Sequence, residues 1–555
     1  MQRAEIKNKP IYTMKYALLF CIMLLIQGHN LFAQDSTRKK TIEITSTFKP
    51  VLREAAKVNF SSAPPPVDST KPILNYNIPV QNLNLNYQPT ALKPVSLDID
   101  STNLLKYGNY IKAGVGNVHI PYIDAGFSFG DGRKTAFTVL ANQVSAKGSL
   151  PFQKTSQTSV SLGGTYKTDK NLEWTGKLGF KAEDYFFYGF QPDTLKFSKA
   201  GLRQRFQTFE GKLSFRNINP TKFGLNYNPN LQSSVFSGKN IFSQGSEANT
   251  VLNLPLNKTF GKSFGINLGF TADLTTYRPS GKSNIQNNLY YFSPSLLLKT
   301  PNLYLSTGLI PSWDNKVFTM LPNIIADITT NDKRFTIQAG WIGYYNKGTY
   351  QHFASLNPWI LQPGQQLNTR VQERYAGFKG SVFENFTYSA KVGFAQYRNM
   401  PLFINDSLDG KTFRTVYSSA MEALQLHAEV GYTKGESFSA TAGLTWNQYS
   451  KIKDQTRAWG LIPFEIKGSI RWEVMKDIYV KSDLYLFDGA AYQTKTKEAR
   501  KGDKGIDLNA GMEFKIADQF SLWLQMNNIF NNKYERWNQY PVYGFNLLGG
   551  VIFSF

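Results

Sequence analysis

Gly544-Phe-Asn-Leu-Leu-Gly-Gly-Val-Ile-Phe-Ser-Phe555 closes the chain. Phe545, Leu547, Val551, Phe553 and Phe555 share one parity, with Gly549 among them. Asn546, Gly550 and Ser554 fall on the other, where Leu548 and Ile552 interrupt the alternation. A period of two sends the two sets to opposite faces of a strand. An apolar face ending in aromatic rings suits a strand with hydrocarbon on one side and a wet lumen on the other. The stretch predicts an all-β chain, a transmembrane antiparallel outer-membrane β-barrel. It also marks Phe545, Leu547, Val551, Phe553 and Phe555 as a C-terminal barrel-insertion signature.

The same alternation recurs upstream. Phe264, Ile266, Leu268, Phe270, Ala272 and Leu274 oppose Gly265, Asn267, Gly269, Thr271 and Asp273. Ile506, Leu508, Ala510, Met512, Phe514 and Ile516 oppose Asp507, Asn509, Gly511, Glu513 and Lys515. Phe520, Leu522, Leu524 and Met526 oppose Ser521, Gln525 and Asn527, and residues 438–446 follow the same rule. A soluble sandwich can show any one of these segments, but it does not usually repeat them from about position 110 to the last residue.

Short polar turns count the strands. They fall near Asp131, Thr168, Asn217, Lys258, Lys299, Thr330, Phe383, Thr433, Met475 and Ala517. Longer irregular stretches between them include 186–205, 230–247, 346–368 and 530–544. Short turns on one rim and long loops on the other predict about 22 strands (range 20–24), an even number with both barrel ends on the short-turn side.

Composition narrows the function. The chain has 555 residues, a net charge of +23, 41% hydrophobic and 14% aromatic residues, and a mean hydropathy of −0.33. Past the first fifty residues no window is apolar for long enough to span as a helix. The basic residues are scattered, which argues against nucleic acid as a partner. They suit the anionic headgroups around a barrel, so outer-membrane lipid is the expected partner. Cys21 is the single cysteine and lies in the leader. Beyond the leader only His119, His352 and His427 remain, too few for a His- or Cys-rich metal centre. No cofactor, metal site or catalytic residue is expected, and the chain does not read as an enzyme.

Three segments follow. Residues 1–33 read as a secretory signal peptide, with Met14 and Lys15 opening an apolar run that ends at Ala33. Residues 34–107 carry Pro64, Pro65, Pro66, Pro72, Pro79, Pro89 and Pro94, which favour an extended strap, periplasmic or entering the lumen. Residues 108–555 form the barrel.

The remaining candidates have plain readings beside sharper ones. His427 stands near Glu429 on the polar parity of a strand, as a solvated lumen pair or an acid/base pair. No serine stands in a Gly-x-Ser-x-Gly elbow. Gly114, Gly116, Gly163 and Gly164 lie in strand patterns, where glycine lets backbones approach closely. Asn331-Asp332 reads as turn chemistry. Tyr185 to Tyr188, Trp341 to Tyr345, and Tyr534 to Tyr543 with Trp537 sit near strand ends. They fit an interfacial aromatic belt, or a surface that stacks on sugars or holds a partner protein.

Asn527-Asn-Ile-Phe-Asn-Asn-Lys-Tyr534, followed by a last strand ending in Phe555, resembles the C-terminal end of TonB-dependent receptors. The strand count is similar to that family's barrel. The resemblance implies an outer-membrane receptor for solute uptake. The family's globular plug is not recognisable before position 108, where only the Pro-rich segment stands. Thr41-Ile-Glu-Ile-Thr45 is similar to the short box that pairs with TonB by strand addition. A periplasmic or outer-membrane protein partner, with TonB-type coupling left open, is the matching expectation. The alternative is a non-transporting structural subunit of an outer-membrane export or biogenesis complex.

Overall fold

A computed structural model describes residues 108–555, apart from the side chain of Ile120. The expected leader (1–33) and Pro-rich segment (34–107) lie outside the described residues. From Tyr110 onward the chain folds as an up-and-down antiparallel meander. Twenty-four hydrogen-bonded segments make the large sheet, but two strands are each interrupted once. Leu225–Tyr227 and Asn230–Lys239 both pair with Gln244–Phe260, and Ile285–Phe292 and Ser295–Lys299 both pair with Leu303–Asp314. The barrel therefore has twenty-two strands.

Closure is made by the first and last strands. Tyr110–Gly116 pairs with His119–Phe129 on one side and with Asn546–Ser554 on the other. Asn109 N donates to the Phe555 carbonyl at 3.1 Å, and Phe555 N returns a bond to the Asn109 carbonyl at 3.0 Å. On the inner face Trp523 lies across this seam, its indole N–H 3.3 Å from the carbonyls of Ala113 and Val551. Lys112 Nζ sits 4.3 Å from the Trp523 ring centroid, and Tyr122 packs at 5.2 Å. Glycine makes room for this arrangement. A Cβ on Gly114 would fall 2.4 Å from Trp523 Cζ2, and one on Gly550 would fall 1.9 Å from the Ala113 carbonyl oxygen. Leu548, which breaks the terminal alternation, turns inward beside this seam and is 3% exposed.

The outward face is apolar. Several dozen large hydrophobic side chains stand exposed, among them Leu178, Phe209, Leu296, Ile328 and Phe378. Monomeric soluble proteins rarely expose contiguous apolar patches above a few hundred Å². A continuous band of this kind is stable only in hydrocarbon. Phe129, Trp174, Phe264, Trp472 and Phe553 ring its short-turn edge, while Trp313, Phe318 and Trp341 stand toward the other. Phe545, Leu547, Val551, Phe553 and Phe555 all face outward in this band. The inward parity is polar, with Glu373–Lys391 at 2.6 Å and Asp327–Lys379 at 2.9 Å.

All ten short turns fall where the sequence puts them. Their chemistry is local. Asp131 Oδ1 accepts from the amides of Arg133, Lys134 and Thr135 at 2.9, 2.8 and 2.7 Å. Those bonds, that of Thr135 foremost, hold the exposed Asp131 carboxyl down to about 2. Gly261 and Gly435 take positive φ (59° and 54°), as tight turns require.

One expectation is corrected. Residues 230–247 are not an irregular loop: Asn230–Lys239 and Gln244–Phe260 are long strands joined by a tight turn. Asn240 Oδ1 accepts from the amides of Phe242 and Ser243 there, at 2.9 and 3.0 Å. These strands rise past the apolar band, so their upper residues face water or loops and lose the lipid alternation. Conversely, residues 399–420, 451–463 and 488–504 are long loops that the pattern did not single out.

Gly550→Val places a side chain against the Ala113 carbonyl and blocks closure. The expected outcome is loss of the heat-modifiable folded band in gel electrophoresis. Gly176→Ala, whose added Cβ meets nothing within 4 Å, keeps that band. Equal folding of both variants would refute the seam's role.

Candidate functional site

The long loops do not flare outward. They collapse over the rim opposite the barrel's two ends and share one apolar core. Phe206, Phe236, Tyr277, Tyr350, Phe353, Ile360, Phe403, Phe413, Trp537 and Tyr540 are buried in it together. The first three come from barrel strands and the rest from loops.

Each loop contributes a small element with a local cause. In loop 347–368 the helix Tyr350–Leu356 starts at Thr349, whose Oγ1 accepts from His352 N at 3.1 Å. Asn357 precedes Pro358 and is extended (φ −139°, ψ 102°), which ends the helix. Loop 399–420 is a hairpin, Met400–Asn405 against Phe413–Ser418. Loop 528–545 carries the short pair Glu535–Trp537 and Tyr540–Pro541.

Backbone bonds knit these elements. Phe413 N donates to the Trp359 carbonyl at 3.0 Å, and Leu361 N donates to the Phe413 carbonyl at 2.9 Å. Gly460 N donates to the Ala491 carbonyl at 2.9 Å, joining loops 451–463 and 488–504. Gly460 has φ +77° and lies under Trp537, where an added Cβ would be 2.7 Å from the ring. At the centre Trp359 stacks on Tyr540 with ring centroids 3.9 Å apart and planes at 25°. The Trp359 indole N–H donates to the Phe186 carbonyl at 3.0 Å, and the Tyr540 hydroxyl donates to the Lys411 carbonyl. Burial pushes the Tyr540 phenol well above its ordinary value, so it stays a neutral donor.

The barrel wall supplies polar latches. Glu247 is buried and accepts from the amides of Tyr350 and Gln351 at 2.6 and 3.2 Å, and from Gln366 Nε2 at 2.5 Å. Asn368 Nδ2 donates to Asn287 Oδ1 and Asp314 Oδ1, both at 2.7 Å. Gln204 Nε2 donates to the carbonyls of Pro358 and Ile360 at 2.7 and 3.0 Å. Loop 347–368 is thus fixed at both ends and in its middle. In the hairpin turn, Asp406 is pushed up by burial. The amides of Leu408, Thr412 and Asp409 and the Thr412 hydroxyl overcome this and hold its carboxyl below the ordinary range.

The sequence candidates divide. Trp341 faces outward as a belt residue, whereas Tyr185, Tyr188, Trp537 and Tyr540 belong to or pack against the loop core. Their place there corrects the belt reading for those four. His427 Nδ1 lies 3.1 Å from Thr445 Oγ1, and its pair with Glu429 does not form. His119 opens a strand and meets Tyr543 edge-on at 6.3 Å, and His352 rides the capped helix. Among the described residues no three His, Cys, Asp or Glu converge to hold a metal ion. What the loop assembly can do is close the mouth. Opening it re-exposes aromatic rings at about 1.5–3 kcal/mol each.

Known structures share this architecture. The FrpB iron transporter from Neisseria meningitidis matches with a TM-score of 0.63 at 10% identity, covering 81% of this chain and 82% of that one. The siderophore receptor PirA from Pseudomonas aeruginosa matches at 0.57 and 11% identity, covering 80% of each chain. A mutant of the ferric enterobactin receptor PfeA from the same organism matches at 0.60 and 10% identity, covering 81% and 80%. The barrel has the fold of TonB-dependent receptors. No family model matches the sequence, and no curated protein matches it.

Trp359→Ala removes the central stack and leaves a cavity worth about 3–5 kcal/mol. Hydrogen exchange is expected to rise at least about tenfold in residues 350–361 and 400–418 while the barrel strands stay protected. Leu408→Ser, at an exposed loop tip, leaves exchange unchanged. The pH dependence follows from Asp406. Its folded pKa is depressed, so its contribution is complete above the ordinary carboxylate value of about 3.9 and is lost as pH falls through the lower folded value. Amide protection at Thr412 should therefore fall only below about pH 4.

Proposed function

We propose that this chain is an outer-membrane receptor for solute uptake. Its own loops hold the outer mouth shut until a ligand or a partner displaces them. The observation that carries this reading is a twenty-two-strand barrel sharing its architecture with iron and siderophore receptors over about four fifths of both chains. The latched aromatic core adds to it, because a wide barrel needs an obstruction to keep the membrane sealed. Ferric chelates are the first solute class to test, since the matched receptors are named for iron and siderophores. In this reading residues 1–33 direct export and residues 34–107 are a Pro-rich segment, periplasmic or lumen-entering. The stretch Thr41-Ile-Glu-Ile-Thr45 pairs with an energy-coupling protein by strand addition. No catalytic step is assigned.

Planar-bilayer conductance tests the shut mouth. The intact protein is expected to stay closed, and the Trp359→Ala, Tyr540→Ala double variant is expected to show discrete openings if the loops are the barrier. Growth of a deletion strain on ferric chelates tests uptake. Unchanged growth together with defective outer-membrane assembly would overturn uptake in favour of a structural subunit of an export or biogenesis complex.

The outward row Phe545, Leu547, Val551, Phe553 and Phe555 is proposed as the signature read during insertion. Removing Phe555 also removes its two bonds to Asn109. Folding into membranes is expected to slow several-fold relative to Phe530→Ser, an exposed loop change. Equal rates would dismiss the signature.

A further inference from the structure

One part of the outer wall is neither smooth nor uncharged. On the strands Val317–Thr329, Phe335–Asn346 and Thr369–Val382, the register sets Ala326, Ala339 and Ala376 side by side. All three share the outward parity of Ile328, Ile337 and Phe378, the row below. The row above runs Ile324, Trp341, Arg374, Phe394 and Leu424. The three methyl groups, under the upper row and beside Val392, line a groove of about 510 Å³ on the lipid side.

Arg374 lies on the rim of that groove. Its neighbour Glu373 turns inward to Lys391 at 2.6 Å, while Arg374 points outward with Trp341 and Phe378. Its guanidinium carbon is 5.1 Å from the Trp341 ring centroid. Among the described residues no carboxylate pairs with it. The next outward row up is polar: Gln372, Gln396 and Glu422. Glu422 is already engaged, by Lys451 at 2.9 Å and by Gln396 at 3.2 Å. Arg374 therefore stands in the last apolar row before the headgroup layer on the long-loop side.

An outward arginine there disfavours the barrel unless its charge is met, most strongly toward the midplane and less near the interface. Stacking on Trp341 returns only part of that. The guanidinium can reach up to the headgroup layer, and its planar fork fits phosphate oxygens two at a time. The anions at that level, on the side away from the barrel's ends, are lipid headgroups of the outer leaflet. We propose that this groove is a binding site for a phosphorylated glycolipid of the outer leaflet. One acyl chain lies along Ala326, Ala339 and Ala376, and a headgroup phosphate is held by Arg374 beside Trp341.

The test uses the full-length protein, purified in detergent, stripped of lipid, and titrated in native mass spectrometry. The probes are diphosphoryl lipid A, fully dephosphorylated lipid A and inorganic phosphate. The intact protein should bind the diphosphoryl form about tenfold more tightly than the dephosphorylated one, as one charge-assisted contact allows. Arg374→Gln should erase that preference and leave the dephosphorylated form unaffected. Ala339→Phe, which fills the groove from the lipid side, should weaken both. Inorganic phosphate should not compete at millimolar concentration. Each variant is checked for the heat-modifiable folded band. Undiminished preference in Arg374→Gln, unchanged binding in Ala339→Phe, displacement by inorganic phosphate, or a co-purified protein covering Trp341 would overturn the proposal.

Discussion

An amide or carbonyl inside hydrocarbon finds no water to bond, so a sheet that spans a bilayer cannot keep a free edge. Here that demand falls on one seam. Tyr110–Gly116 pairs with Asn546–Ser554, although almost the whole barrel lies between them in sequence. Trp523 then bridges the two strands from inside, over glycines that no larger residue could replace. Every other strand pairs with its sequence neighbours. The alternation, the turns and the outward apolar band keep their meaning only because the first and last strands meet.

The second layer depends on the first. Glu247, Asn287, Gln204 and Asp314 stand on strands whose register is already set, so they present fixed partners to loop 347–368. The loop in turn presents Trp359 to Tyr540, from a loop far along the chain. Polar latches at the wall and an aromatic core over the lumen divide the work. The latches fix position, and apolar burial sets how firmly the mouth is shut. In the proposed receptor role, opening needs a ligand or partner that binds the open form better than the closed one.

The outer wall links fold to surroundings by the same register logic. Bringing three alanines into one row on three strands makes the groove, and the parity that sends Glu373 inward to Lys391 sends Arg374 out toward lipid. A feature that reads as Gln-Glu-Arg-Tyr along the chain becomes a lumen ion pair and a lipid-side cation once the strand has faces.

The sequence by itself determined the barrel, its twenty-two strands and its ten short turns. It could do so because lipid-versus-lumen alternation and turn chemistry act between residues one to four positions apart. The terminal row from Phe545 to Phe555 was readable for the same reason. The loops were not. Residues 399–420, 451–463 and 488–504 carry no lipid alternation, and Tyr185, Tyr188, Trp537 and Tyr540 read as belt aromatics because most of their partners come from other loops, far along the chain. Only the closed sheet, by fixing the height and facing of each strand end, decided that these rings pack on one another over the mouth while Trp341 and Arg374 face the bilayer.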